Sequence, residues 1–275
     1  NLINHFCQDD DYQVYGTLHK SKKNQNAKAI YIAADLTKED EVEKLFSTVK
    51  PEIVLHYAAF STSSKDVVEA PYKQVTPSIV MSAFVLEACF RHKVEHTVYA
   101  SCSVMTKNSD IPQKESDWDS GAEIYPAYFG IGNSKVYTER LCEFYSRLSG
   151  KKYSAIRHSN VVGQNDKADL TKAHVCGSLA MKVLQATDKL DIWGKKGSGT
   201  RRDIIHVSDV VRLVDSILQK QTTPFERVNC GIGQSFSISE IAEGLKKAAG
   251  RGDLELVYDE TKPSRLSCKN ERRRA

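Results

Sequence analysis

The sequence predicts an α/β fold built on a doubly wound parallel sheet, and two observations carry that prediction. Short β-branched or aromatic runs alternate with helical stretches along most of the 275 residues, the pattern that places helices on both faces of a parallel sheet. Ile53-Val54-Leu55-His56-Tyr57-Ala58-Ala59 is a short apolar run of the kind expected for a strand buried on both faces. In such sheets ligands gather at the carboxyl ends of the strands. That singles out Asp35, Ala58, Ala59, Ser101 and Ser103.

The elements follow in order. Asn1 to Cys7 has the look of the end of an amphipathic helix, and Tyr12 to Leu18 alternates as a strand. Ile30 to Ile32 is the next strand, after which Thr37 is expected to cap a helix bearing Val42, Leu45 and Phe46 and ending before Pro51. The run from Ile53 gives a strand, Pro77 to Phe90 a helix, and Thr97 to Ala100 a strand ending in Ser101-Cys102-Ser103. A helix is expected from Ile131 through Tyr145, a strand over Tyr153 to Arg157, and a helix from His174 to Ala186. Leu190 to Gly194 and Arg201 to Val207 give strands around a Gly-rich loop, and Ser208 is expected to cap a helix to Leu218. Asn229 to Gly233 is a turn, Ser237 with Glu240 forms a capping box for a late helix, and Leu254 to Tyr258 is the last strand.

Composition excludes several classes of function. Four cations and one anion in 269–275 carry +3 of the formal +4 charge, so the rest of the chain is at +1. A nucleic-acid footprint needs basic residues spread over a folded face, so none is expected. No apolar stretch approaches the ~20 residues that span a bilayer, and no signal-peptide pattern opens the chain. The seven cysteines are scattered, which gives neither close-spaced zinc-ligand pairs nor a disulfide framework. A reducing, cytoplasmic setting is expected. His92 and His96 have helical spacing but no third ligand nearby, so they are expected at the surface or a helix end, and no metal site is expected.

The helix around Lys135 is the chemical focus. Tyr125 and Tyr128 cluster just before it. An ammonium beside a phenol favours the phenolate and lowers a pKa otherwise near ~10, which makes a proton donor for carbonyl chemistry.

Several stretches, in this order, resemble the extended short-chain dehydrogenase/reductase family, the NAD(P)-dependent epimerases, dehydratases and reductases of nucleotide sugars. They are Ala34-Asp35-Leu36-Thr37, Leu55-His56-Tyr57-Ala58-Ala59, Ser101-Cys102-Ser103, Asn133-Ser134-Lys135, Arg157 through Gly163, Ile192-Trp193-Gly194, Arg202-Asp203 with His206 to Asp209, and Asn229 through Gly233. The resemblance implies a Rossmann-like fold with a dinucleotide-binding domain over 1–163. A smaller interwoven substrate-binding part would span 164–275, with 201–218 returning to the main sheet. It also implies a glycine-rich phosphate turn after a first strand. Neither is found ahead of the opening helix, so truncation at the N-terminus is expected, and the likeness stops after Pro263.

The resemblance assigns roles residue by residue. His19, Lys20 and Ser21 follow the second strand where NAD-preferring members carry a carboxylate, so NADP is expected, with NAD as the alternative. Asp35 and Leu36 would meet the adenosine end, and Ala58, Ala59, Ser101 and His158 would lie along the cofactor. Lys135 would hold the nicotinamide ribose. Ser103, with Ser101 in reserve, would polarise the substrate oxygen; turn capping is the other reading. His174 would move a proton in epimerisation. Asn160, Lys182, Trp193 and Arg202 would contact the sugar nucleotide. Cys102 is expected to be a small buried hydrophobe.

The family's Tyr-x-x-x-Lys pattern fails here: four residues before Lys135 stands Ile131. Tyr128, seven before, is the default proton donor, folding back if the helix starts at or after Phe129. The expected function is an NADP(H)-dependent epimerase or reductase of a nucleotide-linked keto-sugar, acting as a homodimer. A binding protein that has lost the chemistry, or an inactive fragment, remains open.

Overall fold

The computed structural model describes residues 1–19, 25–60, 70–106, 112–166, 170, 173–197 and 201–261. Its first half runs α1 (Leu2–Phe6), β1 (Tyr15–Leu18), β2 (Ile30–Ala33), α2 (Glu39–Val49), β3 (Ile53–His56), α3 (Tyr72–Arg91), β4 (His96–Cys102), α4 (Phe129–Ser149) and β5 (Lys152–His158). Then come β6 (Asn160–Val162), α5 (Val175–Gln185), β7 (Lys189–Trp193), β8 (Arg201–His206), α6 (Val207–Lys220), β9 (Phe225–Cys230), β10 (Ser235–Ser237), α7 (Ile238–Ala248) and β11 (Glu255–Asp259).

Strands β3, β4, β5 and β9 form an all-parallel sheet in the order β3-β4-β5-β9. β1 and β2 pair in parallel as a separate ribbon, Tyr15 opposite Ile30. The parallel sheet predicted from the alternation is therefore present, divided into two pieces among the described residues. Neighbouring residues of β4 point to opposite faces, as pleating requires. Tyr99 enters a core with Val42, Phe46, Val85, Leu86 and Cys142, from α2, α3 and α4. Val98 enters the opposite core with Phe6, Ile156, Val210, Val214 and Ile217, from α1, β5 and α6. Helices on both faces explain why β4 is almost wholly buried.

The later segments build a third core, in which Leu179 and Val183 of α5, Leu190 and Ile192 of β7, Ile241 of α7 and Leu254 pack together. β7 and β11 pair in parallel beside it. β8 lies between β6 and β10 in a three-stranded sheet. Residues 201–206 therefore do not rejoin the main sheet. The return is made by the apolar face of α6 and by β9, because the short β6, directly after β5, takes β8 as its partner.

Local capping departs from expectation where a side chain has a better partner. Thr37 does not cap α2: its amide and hydroxyl bond the Asp35 carboxylate, at 3.1 and 2.7 Å, and the N-cap falls to Lys38. Ser208 lies inside α6, whose N-cap is His206, accepting from the Ser208 amide. Ser237 and Glu240 form the expected reciprocal box. α3 begins at Tyr72 and carries Pro77 inside it. His96 is buried at the start of β4, 2.8 Å from the Gln221 side chain, and does not lie at the surface.

Candidate active site

At the end expected for adenosine, His19 follows β1 and Asp35 follows β2, and Nε2 of His19 stands 3.7 Å from the Asp35 carboxylate. The two Thr37 hydrogen bonds, aided by the His19 charge, hold the Asp35 carboxyl below its usual range, so it stays ionised. The Leu36 side chain packs against the first core. Lys20 and Ser21 lie outside the described residues.

At the end expected for nicotinamide, β3 runs out into the exposed Ala58 and Ala59, while Ser101 and Ser103 are buried at the end of β4. Ser101 is committed on both sides. Its hydroxyl donates to Glu139 Oε1 at 2.6 Å, and its carbonyl accepts from His158 Nδ1 at 2.8 Å. Burial lowers the His158 pKa to about 4, so the ring is neutral. With Nδ1 donating, Nε2 accepts from the Tyr57 hydroxyl at 3.4 Å. Tyr57 was not a candidate from sequence; its place near the end of the apolar run, just before Ala58, is the signal that could have raised it. Ser103 opens a 3-10 turn, Ser103–Met105, and its carbonyl accepts from Thr106. Cys102 is half-buried, not fully buried as expected, between the buried Ser101 and Ser103.

The helix α4 begins two residues earlier than expected, at Phe129, preceded by a 3-10 turn over Pro126–Tyr128. Tyr128 is its N-cap residue, half-buried, with its ring 6.1 Å from that of Tyr125. Gly132 allows the helix to close on the site. A Cβ there would stand 2.8 Å from Ile124 Cγ2 and 3.4 Å from the Val104 carbonyl of the Ser103 turn. One turn on, Lys135 Nζ donates to the Ala100 carbonyl at 2.8 Å and lies over the Tyr99 ring, 4.7 Å from its centroid. Burial opposes its charge, but Tyr99, Cys102 and Glu139 outweigh that and raise its pKa, so Lys135 remains an ammonium. Behind it, His56 stacks on Tyr99 at 5.7 Å and bonds Ser82, and burial lowers its pKa to about 3.

Glu139, one turn beyond Lys135, was missed by sequence reasoning. It is wholly buried and paired with Arg157 of β5, itself 1 % exposed, through bonds of 2.7, 3.0 and 3.2 Å. The pair locks α4 to both β4 and β5, because a charge withdrawn from water must be matched and hydrogen-bonded.

On the substrate side, His174 is exposed at the N-cap of α5. Lys182 bonds the Asp191 carbonyl at 3.1 Å and lies over the Trp193 ring at 5.4 Å, and Trp193 is 56 % exposed. Asn160 donates to the Asp203 carbonyl, and Arg202 to that of Arg201. The structure thus joins Lys182 to Trp193, and Ser101 to His158.

In a parallel sheet of this kind ligands bind at the carboxyl ends of the strands, where Ala58 and Ala59 are exposed and the half-buried Lys135 bonds the Ala100 carbonyl. The chain belongs to the NAD dependent epimerase/dehydratase family, whose sequence model matches residues 1–231. It is 30 % identical over 238 residues to a GDP-L-fucose synthase of Sinorhizobium fredii, covering 83 % of this chain and 73 % of that protein. A putative UDP-glucose 4-epimerase of Methanocaldococcus jannaschii is 29 % identical over 243 residues, covering 87 % and 74 %. Among solved structures, the UDP-glucose 4-epimerase of Thermotoga maritima with UDP-glucose superposes with a TM-score of 0.83 at 25 % identity, covering 99 % of this chain and 84 % of that one.

Proposed function

We propose that the protein is an NADP(H)-dependent epimerase or reductase acting on a nucleotide-linked keto-sugar. The observation that carries this reading is Lys135, an ammonium fixed at the carboxyl end of β4 beside the Ser103 turn, in a chain of this family. The residues present suit the cofactor: Ala58 and Ala59 leave the end of β3 open, and Lys135 offers charge beside it. The cations that follow β1 in the sequence, with His19 beside them, favour a 2′-phosphate over a bare ribose. When bound, the dinucleotide supplies or accepts hydride. Lys135 holds the ribose and keeps a positive potential over the site, Ser103 polarises the keto oxygen, and Tyr128 delivers the proton. His174 serves epimerisation, and Lys182, Trp193 and Arg202 bind the sugar nucleotide.

The test is NADPH oxidation with GDP-linked 4-keto-6-deoxymannose and related keto-sugars. Turnover abolished by Tyr128→Phe, with NADPH binding intact, is expected. Tight NADPH binding without turnover on any keto-sugar would instead support a binding protein that has lost its chemistry.

A homodimer through α4 belongs to the same reading. Tyr137, Phe144 and Leu148 are 54, 51 and 58 % exposed and lie along one stripe of that helix. A two-fold pairing of identical stripes covers them without a second kind of chain. Sedimentation should give a dimer, and Phe144→Glu a monomer; a monomeric wild type would refute this. The thiols of the described residues, none in a disulfide, suit a reducing cytoplasm.

A further inference from the structure

Residues 112–125 contain little regular structure beyond a 3-10 turn at Glu115–Asp117, yet they are fastened firmly to the helix and sheet behind them. The Trp118 indole lies against three guanidiniums, with Arg157 at 4.4 Å, Arg227 at 4.8 Å and Arg140 at 5.2 Å from its ring. Arg140 belongs to α4, Arg157 to β5 and Arg227 to β9. The Glu115 carboxylate accepts from the Asn229 amide at 2.7 Å, the Gln113 carbonyl from the Asn229 side chain at 3.1 Å, and the Ser120 hydroxyl from Arg140 at 3.1 Å. Flat guanidiniums on an aromatic ring are attractive, more so away from water. The innermost of the three cannot drift, because Arg157 is held by the buried Glu139, and Arg227 Nε stands 3.4 Å from the same carboxylate. Glu139 lies one turn along α4 from Lys135. At its other end the segment passes through the buried Ile124, seated against Gly132, and enters the turn that holds Tyr128.

We propose that Trp118 is a positioning residue for the proton donor: its indole, seated on guanidiniums anchored to α4 and the sheet, fixes the segment that carries Tyr128 relative to Lys135. The inference rests on the assignment of Tyr128 in the reading above. It requires no contact between Trp118 and substrate or cofactor. Its effect is on geometry, where a misplacement of ~1 Å is worth ~100-fold in rate.

The experiment compares Trp118→Leu and Trp118→Phe in the full chain, reading kcat, KM for NADPH, and the rate of tryptic cleavage after the exposed Lys114. Trp118→Leu should lower kcat ~10- to 100-fold, leave KM for NADPH unchanged, and speed cleavage at Lys114. Trp118→Phe keeps an aromatic face for the cations and should recover most of both. Should Trp118→Leu not fold, Arg140→Gln, which removes the exposed guanidinium of the stack, carries the same expectation at smaller size. An unchanged kcat in Trp118→Leu, with or without faster cleavage, would overturn the proposal. So would a raised KM for NADPH at constant kcat, which would place Trp118 in cofactor binding. A wild type that binds NADPH but turns over no keto-sugar would overturn the underlying reading as well, and is distinguished by needing no variant to see it.

Discussion

Ile131 occupies the helical position one turn before Lys135, and the side chains of residues four apart share a helix face. An isoleucine there can neither donate nor accept a proton. If the lysine is placed for the chemistry, Ile131→Tyr should raise kcat by ~10-fold or more, the scale of a general acid added in the right place. Steady-state NADPH oxidation checks this, and an unchanged rate would mean that Lys135, drawn towards Tyr99 and Ala100, cannot serve a phenol at that position. The His56 and His158 imidazoles make a second prediction. Burial holds His158 at about 4 and His56 at about 3, so the unfolded chain takes up those protons first as pH falls. Their stabilisation is complete above ~6.5 and is lost as pH drops towards the folded values, by up to ~1.4 kcal/mol per pH unit for each ring. The urea midpoint should therefore be lower at pH 5.5 than at pH 7.5, and equal midpoints would contradict the lowered pKa values of both rings.

Helix α4 does at the scale of an element what no single residue could. One face carries Gly132, Lys135, Glu139 and Cys142 into the fold, and another leaves Tyr137, Phe144 and Leu148 in solvent. Glu139→Ala would strand Arg157 as a buried, unmatched charge and should cost ~3–5 kcal/mol. Replacing both partners with methionine should recover much of that loss, which chemical denaturation of the two variants would show. Ser237→Ala, removing a cap, should cost only ~1 kcal/mol by the same measurement. The contrast also shows what could be read in advance. The Ser237–Glu240 box, the alternation of strands and helices and the placement of Lys135 are local patterns, written within a few residues. Thr37 misled because its amide and hydroxyl both donate to Asp35 in a turn before the helix, which starts only at Glu39. His96 misled because the group that lets it be buried, Gln221, is 125 residues away. Glu139, Arg157 and Trp118 were invisible for the same reason: each is explained by partners that only the fold brings near.

For the molecule as a whole, protection should follow the layering. β4 and β5 have neighbours on both sides and helices over both faces, whereas β1 and β2 form a ribbon with Tyr15 and Ile30 partly in solvent. Amide hydrogen exchange is expected to be slowest in β4 and β5 and much faster in β1 and β2. Uniform protection would mean that the ribbon and the main sheet open as one unit.

The seven thiols are distributed in a way that has a practical consequence. Cys7, Cys89, Cys142, Cys176 and Cys230 are buried, and burial raises the pKa of Cys176 to about 11 and those of Cys89 and Cys230 to about 12. Such thiols react slowly in the folded chain. Cys102 alone among the described cysteines is half-buried, and it stands at the end of β4 beside the Lys135 ammonium. With Cys268 changed to serine, a maleimide dye would attach at a single chosen place without any engineered cysteine. The protein therefore carries its own fluorescent reporter position at the strand end where the cofactor would arrive.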